Sequence, residues 1–290
     1  MRIIRAEHLG MCFVVKDSIA LALKHADAEP LTILGDLVHN ETVLAELRAR
    51  GITIEQHAAD VNTQTVMVTA HGASERALAQ TRALGLNVLE ATCPLVHVAH
   101  RAVAKLVGGG HHPVIIGKRD HVEVRGLTED LDDFDVVLSP DEVLQLRERA
   151  RFGVVAQTTQ PIDRVRLLVQ LLRARFPQSE VRFIDTVCQP TKLRQNAAIE
   201  LAQQCDVVIV IGGAHSNNTH ELVNTCSRYC PRVHHVQSAR DLCHEWFAGA
   251  QTVGLTAGTS TPESVIGEIE QTIRDQAVRR SEDISSVLHY

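Results

Sequence analysis

Asp206-Val207-Val208-Ile209-Val210-Ile211-Gly212-Gly213-Ala214-His215-Ser216-Asn217-Asn218-Thr219 reads as a short β-branched strand that ends on a glycine turn and gives way to polar residues. Runs of the same kind recur along the chain: Arg2–Ala6, Leu31–Leu34, Thr65–Thr69, Val88–Ala91, Pro113–Ile116, Gly153–Ala156, Val181–Asp185, Arg232–Val236 and Thr252–Thr256. Between them lie stretches with Leu, Ile, Val and Ala at helical spacing, among them Glu41–Arg50, Glu75–Leu84, Leu95–Val107, Asp163–Phe176, Thr191–Gln204 and Pro262–Ala277. The alternation predicts an α/β fold with mostly parallel sheets. Turns that follow the strands then lie on one rim, where ligands of open α/β sheets bind.

The strand-to-turn unit is repeated three times, each copy headed by a cysteine: Cys12, Cys93 and Cys188. A glycine turn follows, and four residues past the glycine stands a polar side chain: Gly35 and His39, Gly117 and His121, Gly212 and Ser216. From cysteine to that polar residue the separations are 27, 28 and 28 residues. Two residues on come Glu41, Glu123 and Asn218, and later in each copy a strand runs into a second polar turn: Thr69-Ala70-His71-Gly72, Ala156-Gln157-Thr158-Thr159 and Thr256-Ala257-Gly258-Thr259-Ser260. A fixed period means one structural unit used three times. Copies arranged about a pseudo-threefold axis would bring three thiolates into one layer and a polar ring into another. The repeat sets the expected boundaries: copies at 1–93, 94–188 and 189–280, with a mobile tail over 281–290.

Composition narrows the function classes. A net charge of −6 with a pI near 6.2 leaves no footprint for nucleic acid, and the 3% aromatic content leaves few platforms for stacking bases. No apolar run approaches the roughly 20 residues of a membrane helix, and Met1–Glu7 lacks the apolar stretch of a signal peptide. The expectation is a cytoplasmic enzyme without membrane or nucleic-acid partners. Seven cysteines, an odd number without a secretion signal, argue for metal binding, catalysis or plain burial over a disulfide framework.

Three convergent cysteines suit an iron–sulfur cluster. Three thiolates from separate repeats can hold a cubane and leave one iron open to a substrate oxygen. Each of the three lies in a polar turn, whereas Cys205 precedes the apolar strand Val207–Ile211 and reads as a small buried hydrophobe. Cys226, Cys230, His234, His235, Cys243 and His244 could make a structural zinc site, but their spacing matches no finger, and adjacent histidines on a strand point to opposite faces.

The second layer is rich in donors: His39, His71 and His121, with Ser216, Asn218, Thr259 and Ser260. Many of these sit where strand turns into helix, and helix N-termini with their exposed N–H groups favour phosphate. Glu123 is the acid whose neighbours His121 and Thr158 offer a proton path, and a carboxyl closed off from water holds its proton to higher pH.

These motifs resemble, over almost the whole chain, the LytB-type 4-hydroxy-3-methylbut-2-enyl diphosphate reductases of the non-mevalonate isoprenoid pathway. The matching stretches include Gly10-Met11-Cys12, Val38-His39-Asn40, Ala70-His71-Gly72, Ala91-Thr92-Cys93-Pro94 and His121-Val122-Glu123-Val124-Arg125-Gly126. Gln157-Thr158-Thr159, Asp185-Thr186-Val187-Cys188, Ser216-Asn217-Asn218-Thr219 and Thr256-Ala257-Gly258 complete the set. The resemblance implies a trefoil of three pseudo-symmetric α/β domains around a 4Fe-4S cluster held by Cys12, Cys93 and Cys188. It implies a diphosphate held by His39, His71, His121, Ser216, Asn217, Asn218 and Ser260. The substrate hydroxyl, near Thr158, would bind the open iron and leave as water after two one-electron transfers, with Glu123 supplying protons. The implied products are isopentenyl and dimethylallyl diphosphate, and the implied electron donor is a protein such as ferredoxin or flavodoxin.

The chain departs from the family pattern at Asn217, where a serine is usual, and at His215, where an asparagine is usual. One hydroxyl donor to phosphate thereby becomes an amide. The alternative reading is a redox-inert α/β protein that binds a phosphorylated ligand, or a zinc hydrolase using the same histidines.

Overall fold

The structure, a computed structural model, describes residues 1–287. The chain opens with β1 (Arg2–Arg5) and α1 (Phe13–Ala26), followed by β2 (Leu31–Leu34), α2 (Glu41–Ala49), β3 (Thr53–Glu55), β4 (Thr65–Val68), α3 (Glu75–Ala83), β5 (Asn87–Glu90) and α4 (Pro94–Gly108). Next come β6 (His112–Ile116), α5 (Val122–Thr128), β7 (Asp135–Val137), α6 (Pro140–Leu144), β8 (Arg151–Ala156), α7 (Ile162–Arg175), β9 (Glu180–Phe183) and α8 (Gln189–Ala202). The chain continues with β10 (Val207–Ile211), α9 (Asn217–Cys226), β11 (Val233–Val236), β12 (Thr252–Ala257) and α10 (Glu263–Val287). The expected α/β alternation is present, and the sequence reading missed β3 and β7. Both are three-residue strands at sheet edges, too short to carry a periodic signal.

The strands form three four-stranded sheets in which every pairing is parallel: β3-β2-β4-β5, β7-β6-β8-β9 and β11-β10-β12-β1. Each sheet has the same layout. The first strand of a copy is central, the second lies at one edge, the third pairs on the first strand's other side, and the fourth closes the far edge. In the third sheet that fourth strand is β1, with Arg2 opposite Thr252 and Arg5 opposite Leu255. The strand Arg2–Arg5, placed by its position in the sequence with the first repeat, is therefore hydrogen-bonded in the sheet of the third.

The chain divides into two compact units. One comprises Met1–Cys12, His39–Glu41 and the chain from Lys192 onward, and holds the third sheet. The run Val207–Ile211 is wholly buried, because helices cover both faces of its sheet. Val207, Ile209 and Ile211 pack with Val265, Ile266, Ile269 and Ile273 of α10, while Val208 and Val210 meet Ala198 and Leu201 of α8 and Leu222 of α9. The other unit, Phe13–Val38 and Thr42–Thr191, holds the other two sheets. In its second sheet Val114, Ile116, Val154 and Ala156 face α7, and Ile115 and Val155 face α4 and α5.

The first part of the expected tail, residues 281–287, lies in α10. Residues 288–290, the end of that expected tail, lie outside the described residues. No described helix is long and apolar enough to cross a membrane.

Candidate functional site

Every sequence-predicted site residue lies past the C-terminal end of a strand or in the first turn of the helix that follows. The glycine turn follows the first strand of each sheet, and its glycine amide donates to the carbonyl that ends the second strand: Gly35 to Glu55 at 2.7 Å, Gly117 to Val137 at 3.0 Å and Gly212 to Val236 at 3.0 Å. The cysteine follows the fourth strand and stands directly before a helix: Cys12 before α1, Cys93 before α4 and Cys188 before α8. Its amide donates to a carbonyl of the turn after the third strand. Cys12 reaches Thr259, Cys93 reaches Ala70 and Cys188 reaches Thr158, each at 3.0 Å. Each thiol is thus fixed beside a polar turn of its own sheet and directly before a helix.

In the unit of the first two sheets, His71 and His121 meet edge to face with ring centroids 5.5 Å apart. The turn of His71 is held against α5. Ser74 Oγ donates to Glu129 at 2.7 Å, and the Glu75 and Arg76 amides donate to Asp130 at 2.8 and 3.0 Å. His121 caps α5 by accepting the Glu123 amide on Nδ1 at 3.1 Å. An accepting Nδ1 puts the proton of the neutral ring on Nε2. The Glu123 carboxylate is buried and accepts two bonds from Thr158, the amide at 2.6 Å and the hydroxyl at 2.9 Å. Burial pushes the Glu123 carboxyl up to about 7, and the two Thr158 bonds oppose that rise without cancelling it.

Cys93 and Cys188 are partly buried in the same unit. Burial pushes the Cys188 thiol up to about 11, opposed by Thr191, whose hydroxyl lies 3.0 Å from Sγ. Lesser contributions in the upward direction come from Glu123 and Cys93, whose negative charges would face the thiolate. Such a thiol is protonated near neutrality until a metal displaces the proton.

The unit of the third sheet carries Cys12, His39, Ser216, Asn217, Asn218 and Ser260. Ser216 caps α9 by accepting the Thr219 amide at 3.3 Å, and Asn217 opens that helix. His39 lies against the glycine turn of this sheet, since a Cβ on Gly213 would run into the His39 carbonyl. Asn218 Oδ1 accepts the Thr259 amide at 3.0 Å, while its Nδ2 and the Ser260 Oγ are buried without a hydrogen-bond partner. A ligand could supply the acceptor for such buried donors.

Sequence reasoning gave no individual role to Thr191, Gln157, Gln160 or Arg194. Gln157 and Gln160 are fully buried and bonded to each other at 3.1 Å, and Gln157 Oε1 takes the Lys118 amide at 3.0 Å, steadying the turn that leads to His121. Arg194 on α8 is buried and donates to the Gly10 carbonyl from Nε at 3.0 Å and Nη2 at 2.7 Å. A charged residue within the buried face of an amphipathic helix is the one signal that could have singled it out.

Among the described residues no cysteine forms a disulfide. Cys226 and Cys230 are buried in the core under α8, with Cys205 packed against them. His234 stacks on Trp246 with ring centroids 4.0 Å apart, and His235 Nε2 lies 2.9 Å from the Gly212 carbonyl. These side chains are taken up by packing and by the support of the Gly212 turn.

A curated protein of Trichlorobacter lovleyi named 4-hydroxy-3-methylbut-2-enyl diphosphate reductase is 37% identical over 271 residues, covering 93% of this chain and 96% of its own. A protein of Geotalea daltonii with the same name is 35% identical over 279 residues, covering 96% and 98%. The solved E-1-hydroxy-2-methyl-but-2-enyl-4-diphosphate reductase of Plasmodium falciparum superposes with a TM-score of 0.87 at 25% identity, over 94% of this chain and 87% of that one. A solved (E)-4-hydroxy-3-methyl-but-2-enyl diphosphate reductase, described as the terminal enzyme of the non-mevalonate pathway, is 32% identical with a TM-score of 0.65. The family model described as LytB protein matches residues 3–274, nearly the whole of the three-sheet fold, and the chain belongs to the LytB family.

Proposed function

We propose that this chain reduces 4-hydroxy-3-methylbut-2-enyl diphosphate to isopentenyl and dimethylallyl diphosphate, the last step of the non-mevalonate isoprenoid pathway. The observation that carries the reading is the threefold hydrogen bond from each cysteine amide to the polar turn of its own sheet, at 3.0 Å in every copy. It ties each thiol that would bind metal to a polar turn of the substrate site, the His71 and Ser260 turns for the diphosphate and the Thr158 turn for the hydroxyl, in a chain of this family. Cys12, Cys93 and Cys188 would hold a 4Fe-4S cluster. The donor set fits: soft thiols, partly buried, outside any disulfide and each at a helix N-terminus. When bound, the cluster supplies electrons one at a time.

The protein's own residues do the rest. His39, His71, His121, Ser216, Asn217, Asn218 and Ser260 hold the diphosphate, with the N-termini of α2, α5 and α9 adding exposed amides and dipole. The unmatched Asn218 Nδ2 and Ser260 Oγ donors support that role. Loss of the substrate hydroxyl as water consumes two electrons and two protons, one proton going to the departing oxygen and one to carbon. Glu123 is the proton store. With its carboxyl near 7 it is part protonated at neutral pH, and the Thr158 hydroxyl bonded to Oε2 relays the proton toward the substrate hydroxyl. A donor such as ferredoxin or flavodoxin would return the electrons.

The test is purification without oxygen. Iron and labile sulfide near four per chain, and release of the two diphosphate products on adding a chemical reductant and substrate, support the reading. A colourless protein carrying zinc or no metal supports a hydrolase or a redox-inert phosphate binder instead.

A further inference from the structure

The turn Leu9–Cys12 is held at three points in the unit of the third sheet. The Gly10 amide donates to the Ala257 carbonyl at 3.1 Å and the Cys12 amide to the Thr259 carbonyl at 3.0 Å. The third point is the Gly10 carbonyl, which accepts two bonds from the Arg194 guanidinium. Gly10 has φ of +72°, and a Cβ there would lie 2.8 Å from Ile266 Cδ1, so the backbone reaches this shape only as glycine. A glycine at this φ has many other conformations open to it, and something must hold it in this one.

We propose that Arg194 is a positioning residue for Cys12: its buried guanidinium, clamped on the Gly10 carbonyl, sets the turn that presents the Cys12 thiolate. Two arguments favour this over mere filling of space. Arg194 is only 8% exposed, and a cation is not buried at such a place without a specific polar partner. One such partner is the carbonyl two residues before a cysteine, and both Nε and Nη2 use it, a fork that lysine cannot reproduce. Neither of the other cysteine turns is a glycine of positive φ, since Ala91 and Thr186 stand two residues before Cys93 and Cys188. The clamp is therefore specific to the Cys12 turn.

The inference rests on Cys12 being a cluster ligand, and its test separates the two claims. Apoprotein of the parent and of Arg194→Met is alkylated with iodoacetamide, and labelling rates at Cys12, Cys93 and Cys188 are read by mass spectrometry. With the clamp removed, Cys12 is expected to react at least about tenfold faster, while Cys93 and Cys188 stay within about twofold, as follows from losing hydrogen bonds to a charged group at one turn only. In the anaerobically reconstituted protein, iron is expected to be stripped by a chelator about tenfold faster. Substrate affinity of the loaded protein is expected to hold. Should Arg194→Met not fold, Arg194→Lys, which keeps the cation and the stem without the fork, is read in the same way. Equal change at all three cysteines, or none at Cys12, overturns the assignment. Parent protein that binds no iron but shows the selective labelling overturns the cluster reading and leaves the clamp intact.

Discussion

Glu123→Gln separates proton delivery from binding and can be worked through from the structure. Gln keeps the shape, and its carbonyl can still accept the Thr158 amide now 2.6 Å from Oε1, while its amide group faces the Thr158 hydroxyl, which turns to accept. What is lost is a group that titrates near 7 in place of its ordinary 4.5. For catalysis the acid form is needed, so turnover of the parent is expected to fall as pH rises through about 7, and the variant to lose about 10²–10⁴-fold in turnover with substrate affinity nearly unchanged. For stability the sign follows from proton binding. The folded state holds its proton to higher pH than the unfolded chain, so between 4.5 and about 7 the native protein binds more protons and stability falls as pH rises. The span is about 3 kcal/mol, present in full below 4.5 and gone above about 7, and the variant lacks it. Steady-state rates with a chemical reductant across this pH range, direct titration of substrate, and urea denaturation of both apoproteins at pH 5 and pH 8 report the three quantities. A variant that turns over at the parent rate, or stability curves for the two proteins that run parallel with pH, would refute the role and the ionisation assigned to Glu123.

The other expectations address the thiols, the anion site and the glycine turn. Cys12→Ser, Cys93→Ser and Cys188→Ser are each expected to lose iron and activity, because a hydroxyl poorly replaces a soft thiolate, while serine at Cys205, Cys226, Cys230 or Cys243 leaves iron content unchanged. Iron lost from the Cys226 or Cys230 variant would contradict the ligand assignment. Asn218→Ala and Ser260→Ala, which remove the unmatched buried donors, are expected to weaken substrate binding by about 1.5–3 kcal/mol each in calorimetric titration, and unchanged affinity would place the diphosphate elsewhere. Gly213→Ala drives a methyl into the His39 carbonyl and is expected to cost about 1–3 kcal/mol in urea unfolding.

The sequence alone determined the parallel α/β class, the threefold repeat and the identity of the cysteines and polar turns, because each is a local property. β-branched runs, helical periodicity and glycine turns declare themselves within a dozen residues. Three-residue strands such as Thr53–Glu55 fall below that resolution. The sheet to which Arg2–Arg5 belongs was beyond sequence reasoning, since its partner Thr252–Ala257 lies at the other end of the chain and parallel pairing leaves no local mark. The state of Glu123 was legible only as a direction. Its raised carboxyl depends on how completely the fold takes it out of water and on Thr158, 35 residues away. The role of Arg194 was not legible. Sequence can show a cation on a helix, but only the tertiary structure decides that it meets the carbonyl of Gly10, 184 residues distant, because burial and long-range approach are properties of the packed chain.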